Sequence, residues 1–209
     1  SEDYFRWFYD TGVWKDMHYR GVRTLKVPSD MWSYQEILHE RGIEWVVETG
    51  TRHGGSALYF ADVLSGNGAA GRVISIDIDR DSRMIESHPR IDFIIGDSTS
   101  AATVETVQRM LPARRGALFL ILDSEHTREH VLRELDAFLP LLRSGDYMVV
   151  EDTCVNGHPV RTTLSDIGPV MLSRLLELAT PADRDRFMTL HLGYSQTFGS
   201  PTLREAIAA

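Results

Sequence analysis

Two short apolar runs in this chain each end in acid. "ALFLILD" closes on Asp123, and "YMVVED" closes on Glu151 and Asp152. Continuous apolar runs of this length are expected to be strands buried on both faces of a parallel sheet. An unpaired carboxylate at such a strand tip is costly to desolvate, so three of them call for a counter-charge. Neighbouring strands lie roughly 4.8 Å apart, which would bring the acids to one point at the sheet edge. Such a hard-oxygen site suits Mg²⁺. A divalent cation there stabilises the charge that develops on a poorly nucleophilic hydroxyl. His126 follows Asp123 by one helical turn. It is placed either to take the proton of that hydroxyl, a step worth about 10²–10⁴ in rate, or simply to face solvent at a helix start. His158 in "VNGHPV" is a second candidate, for substrate contact or for stiffening the loop beside Pro159.

A glycine-rich turn lies upstream, in "ETGTRHGGSA". Gly50, Gly54 and Gly55 allow a tight turn and close approach of backbone to a ligand. Their spacing is Gly-x-x-x-Gly-Gly. That departs from the dinucleotide fingerprint and lacks the Gly-Lys-Ser/Thr ending of a phosphate loop. Glu48 would repel phosphate and suits an ammonium or sulfonium. Asp77 ends the next strand, where an acid commonly takes the two hydroxyls of an adenosine ribose; the alternative is a helix cap, a role better suited to Asp79. Asp97 and Ser98, after the third strand, are placed either for an adenine or for capping. His53, inside the glycine turn, is left open between shielding a cofactor and facing solvent. The ligand implied carries adenosine, lacks phosphates and bears positive charge near Glu48. S-adenosylmethionine meets all three conditions.

These residues need a scaffold that gathers strand ends. Strand and helix patterns alternate: "IEWVVE", "SALYFADVL", "RVISID", a short helix near "DSRMIES", "IDFII", "SAATVETVQRML", "ALFLILD", an amphipathic helix over "REHVLRELDAFLPLLRSG" ending near Gly145, and "YMVVE". An earlier helix, "SDMWSYQEILHERG", is expected to be capped by Ser29 or Asp30 and stopped at Gly42. Later a helix around "GPVMLSRLLELA" and a strand in "MTLHLGYSQTFG" are expected. The rhythm predicts a doubly wound α/β fold with a mostly parallel, seven-stranded sheet. Residues 29–209 read as one domain. Residues 1–28, rich in aromatics, read as an arm packed on the body or another subunit, or as a lid over the site.

The chain has 209 residues, enough for one sizeable core, and a formal net charge of −8 without a basic cluster, which argues against nucleic acid as a partner. Its one cysteine, Cys154, excludes an internal disulfide and fits a reducing cytoplasm. No apolar run is long enough to span a membrane, and the first twenty-five residues do not read as a signal peptide.

The segments "ETGTRHGGSA", "RVISIDID", "GDS", "LDSEH" and "VVEDTCVNGHPV", with "HYRGVRTLKVPSDMWSYQEIL" before them, resemble the cephalosporin hydroxylase family and its Mg²⁺-dependent methyltransferases of macrolide deoxysugars and rhamnosyl groups. The likeness covers roughly residues 15–160. It implies a class I, Rossmann-like S-adenosylmethionine-dependent methyltransferase with Mg²⁺ on Asp123, Glu151 and Asp152, and His126 as base. It also implies a homo-oligomer acting on a small-molecule acceptor in antibiotic or secondary-metabolite biosynthesis. A sugar hydroxyl is the first expectation; a carboxylate, hydroxy acid or nucleoside, or a non-catalytic cofactor-binding partner, are the alternatives. "HTREH" also matches an inverted zinc-peptidase order, but it follows a buried strand and lacks the helical scaffold such a site requires. No histidine is followed two residues later by an acid, which removes a non-haem iron oxygenase.

Overall fold

A computed structural model describes residues 7–152 and 191–192. The first 28 residues include a two-stranded hairpin, β1 (His18–Tyr19) and β2 (Val22–Arg23), turned through Arg20 and Gly21 with φ of 49° and 81°. Two consecutive positive φ values match the twist of a tight hairpin. The hairpin docks on the body: Tyr19 and Arg20 both donate to Asp62, at 3.0 and 2.7 Å.

Helix α1 (Pro28–Glu40) follows, then β3 (Ile43–Thr49), α2 (Gly55–Gly66), β4 (Val73–Asp77), β5 (Ile91–Ile95), α3 (Ala101–Met110), β6 (Ala117–Leu122), α4 (Arg128–Phe138), β7 (Tyr147–Val150) and β8 (His191–Leu192). The sheet order is β5-β4-β3-β6-β7-β8, and every pairing is parallel. This is the expected doubly wound fold, with six strands in the parallel sheet among the described residues. The order reverses direction at β3, which has β4 on one side and β6 on the other. Such a reversal opens a crevice at the carboxyl ends of the strands.

Alternate residues of each central strand face opposite layers, because the side-chain period is two. Val46, Phe119, Ile121 and Val149 pack with Tyr34, Leu38 and Phe60 of α1 and α2. Val47, Leu118, Leu120 and Leu122 pack with Val107, Val131, Leu135 and Phe138 of α3 and α4. Both faces are apolar, so the strands read as unbroken hydrophobic runs rather than alternating ones.

Three local expectations are corrected. Helix α1 starts at Pro28 and is preceded by Val27, which makes no side-chain cap. Proline suits a first turn because its missing N–H has no partner there anyway. No helix forms near "DSRMIES". Asp79 instead accepts from the Asp81 amide and the Ser82 hydroxyl, and the His53 ring meets the Ser82 carbonyl at 2.8 Å. These bonds fold the segment into turns against the glycine loop. Helix α4 ends at Phe138 and gives way to one 3₁₀ turn, Leu139–Leu141. Pro140 cannot donate the next helical bond.

Candidate active site

Register brings the acids together. Leu122 is paired with Val150, so Asp123 and Glu151 each stand one step past that pair on adjacent strands. The Glu151 amide donates to the Leu122 carbonyl at 2.9 Å, and the Asp123 amide donates to the Thr49 hydroxyl at 3.1 Å. Thus the three strand ends β3, β6 and β7 are tied in a row. Asp152 then takes a left-handed conformation, φ 53°. Aspartate tolerates that region better than most residues, and a conformation of this kind is held only where its surroundings impose it. An Asp152 oxygen lies 3.0 Å from Nε2 of His126. Oxygens of Asp123 and Asp152 and a ring nitrogen of His126 lie within 4.8 Å of one another. Two carboxylates and an imidazole at that spacing fit a hard divalent cation.

Two site residues were not found from the sequence. Lys26 is buried, and its Nζ donates to Asp123 Oδ2 at 2.5 Å and to Glu151 Oε1 at 2.8 Å. The hydroxyl of Tyr34 donates to the same Glu151 oxygen. The signal available was "TLKVP", a lone lysine within an apolar run; lysines almost never lie fully buried unless paired.

Electrostatics follow from this packing. Burial pushes the Asp123 carboxyl up, Lys26 opposes that, Glu151 and Asp152 add to it, and the result is about 7. Burial would lower Lys26, but Asp123 and Glu151 outweigh it and hold the ammonium above its usual range. The hydrogen bond to Asp152 raises His126 against the effect of its burial. Burial would raise Asp152 too, but His126 brings it below the usual carboxylate range. Tyr9, in the N-terminal arm, is raised by burial and by the field of Asp152, Glu151, Asp30 and Asp123, which puts the arm beside the acids.

The glycine loop closes the other side. A β-carbon on Gly50, whose φ is 87°, would overlap the Asp123 carbonyl oxygen. One on Gly55 would overlap the Thr24 hydroxyl and the Arg23 carbonyl. A cavity runs between these segments, lined by Arg23, Lys26, Gly50, His53, Ser56 and Asp123 among others. Gly54 also has a positive φ and is the cap residue just before α2. Glu48 is buried, accepts from Ser75 Oγ at 2.6 Å, and is raised by its burial.

Asp77 sits at the end of β4 as expected. Its oxygens take the Arg52 amide at 2.6 Å and the Asp79 amide at 2.8 Å, fastening the glycine loop to β4. Asp97 accepts from the amide and hydroxyl of Thr99, which hold it below the usual carboxylate range. Ser100 caps α3. Ser98 turns inward, donating to Glu134 Oε1 at 2.6 Å, and Ser124 donates to that same oxygen at 2.6 Å. His126 lies in the loop before α4 and faces Asp152, whereas His130 is on α4 and lies 3.2 Å from Ser98 Oγ. The two histidines therefore do not share a helix, and the zinc-peptidase order has no structural counterpart. His158 lies outside the described residues. No described helix is long and apolar enough to cross a membrane.

Comparison with known proteins matches residues 11–169 to the family model Rhamnosyl O-methyltransferase/CmcI. The chain belongs to that family, and is by that membership an O-methyltransferase. A Rhamnosyl O-methyltransferase of Mycobacterium leprae is 39% identical over 201 residues, 96% of this chain and 87% of its own length. One from Mycobacterium tuberculosis is 42% identical over 174 residues, 81% of this chain and 69% of its own. The solved structure described as cmcI-D160 Mg-SAM is similar with a TM-score of 0.60 and 27% identity, over 78% of this chain and 66% of that one. The CmcI-N160 apo structure gives 0.62 and 27%, over 77% and 67%. A second model, Helicase HerA-like C-terminal, matches only residues 146–195, a stretch that overlaps the end of the first match and lies mostly outside the described residues.

Proposed function

We propose that this protein transfers the methyl group of S-adenosylmethionine to a hydroxyl of a small acceptor, first among them a sugar such as rhamnose, with a divalent cation, Mg²⁺, on its acids. The observation that carries this reading is the convergence of Asp123, Glu151 and Asp152 with His126 beside the glycine loop. Names of relatives support the acceptor class, and the Mg-SAM neighbour supports both cofactors. A product used in antibiotic or other secondary metabolism is part of the same proposal, as is assembly into a homo-oligomer.

Asp123, Glu151 and Asp152 would hold the cation, which supplies electrophilic stabilisation of charge on the acceptor oxygen. When bound, S-adenosylmethionine would supply the methyl group, its carbon–sulfur bond breaking as the bond to the acceptor oxygen forms, with S-adenosylhomocysteine as the leaving group. The proton goes to the His126 ring, whose positive form Asp152 stabilises at 3.0 Å. On the cofactor side, Gly50 and Gly54 would let the backbone approach, Asp77 would take the ribose hydroxyls, and the Asp97–Ser98 turn would lie beside the adenine, Ser98 through its backbone because Glu134 holds its hydroxyl. Ile78, 75% exposed immediately after Asp77, offers an apolar surface to the flat base. Glu48 supplies negative charge for the amino acid end. The arm with Tyr9 serves as a lid over the acids. Holding oxygen and methyl in line removes much of the entropic barrier. Incubation with S-adenosylmethionine and a rhamnosyl glycoside, with and without EDTA, tests the reading: methylated sugar only without EDTA supports it, and no transfer to any hydroxyl acceptor ends it.

A further inference from the structure

A buried lysine lies between two of the acids that would hold a divalent cation. Lys26 has a side chain 5% exposed, and it bridges Asp123 Oδ2 and Glu151 Oε1 at 2.5 and 2.8 Å. Tyr34 adds a second donor to that Glu151 oxygen. A lysine in such a position is either a removable competitor of the metal or a fixed part of its cradle. Removal needs somewhere to go. The backbone just before Lys26 is wedged where Thr24 and Arg23 press on Gly55, and α1 begins two residues after it, at Pro28. The Thr24 amide is also held by the Met17 carbonyl at 2.8 Å. Swinging the ammonium out would leave two carboxylates buried without their partner, which is a large cost.

Each carboxylate has two oxygens, and Lys26 takes one from each. The other oxygen of each is left for a second cation. Three carboxylates thus gather around one lysine ammonium and one imidazole, so the acids outnumber the lysine that bridges two of them. Resting on the metal-dependent reading above, we propose that Lys26 is a positioning residue that stays in place when the divalent ion binds, aiming Asp123 and Glu151 at it through their second oxygens.

Titration calorimetry with Mg²⁺ tests this. Lys26→Met is expected to weaken Mg²⁺ at least about tenfold, the scale set by removing one buried charged partner. In a Glu151→Gln background the same change is expected to cost only about threefold, because the Asp123 contact alone is then left to lose; a merely structural lysine would cost the same in both backgrounds. Tyr34→Phe, a gentler change that keeps the ring in the core, is expected to weaken Mg²⁺ about threefold and serves if Lys26→Met fails to fold. Equal or tighter Mg²⁺ binding by the folded Lys26→Met protein would make the lysine a competitor and overturn the inference, and unchanged binding by Tyr34→Phe would do so where that variant stands in. A wild-type protein that binds no Mg²⁺ would overturn the metal-dependent reading as well.

Discussion

Gly50 is pressed against the backbone of Asp123, so closely that a β-carbon on the glycine would overlap the aspartate's carbonyl oxygen. The glycine turn and the first of the three acids are therefore one packed unit. Gly50→Ala meets both that overlap and a φ of 87° that alanine disfavours. The expected cost is about 3 kcal/mol or more, read as a fall in thermal midpoint, with loss of Mg²⁺ binding in whatever folded protein remains.

Asp123 gives the metal-free protein a pH dependence. Its folded pKa of about 7 lies above the usual carboxylate value, so between about pH 4 and 7 the folded state binds the extra proton. Stability of the metal-free protein should therefore fall as pH rises through that window. Mg²⁺ favours the ionised acid and should reverse the trend. Thermal unfolding is expected to show a clear Mg²⁺ stabilisation at pH 8 and little at pH 5. Equal stabilisation at both would contradict the placement of the metal on Asp123.

His126→Ala should lower turnover by about 10²–10⁴ with S-adenosylhomocysteine binding retained. Calorimetry and single-turnover methyl transfer separate the two. A loss of less than about threefold in turnover would remove His126 as the base.

Ile78→Ala should weaken S-adenosylhomocysteine by roughly tenfold, the scale of losing one apolar side chain's burial. The residue is 75% exposed, so stability should barely change. A large drop in thermal midpoint with unchanged affinity would show a packing role instead.

The strand ends were legible because β6 and β7 are apolar on both faces, and such runs stand out before any acid that follows them. The register that pairs Leu122 with Val150 then makes Asp123 and Glu151 neighbours, as expected. The counter-charge was not legible. Lys26 meets Glu151 across 125 positions, and nothing local in "TLKVP" says which acid it will find. The expected helix near "DSRMIES" failed for a related reason: His53, Ser82 and Phe93 claim that segment, with the Arg83 guanidinium 4.2 Å from the Phe93 ring centre, so tertiary contacts override its local preference. Ser98 was legible as a strand-end residue, but the carboxylate of Glu134 on another helix decided where its hydroxyl points.

The 125-position span between Lys26 and Glu151 also bears on how the protein is made. At ordinary elongation speeds roughly 6–25 s separate the synthesis of the lysine from that of the glutamate. Until Asp123 is made, 97 positions after the lysine, the ammonium has neither acid to bury against and must stay in water. The hairpin before it can dock on Asp62 much sooner, so this part of the chain takes its place before the lysine beside it has its second acid.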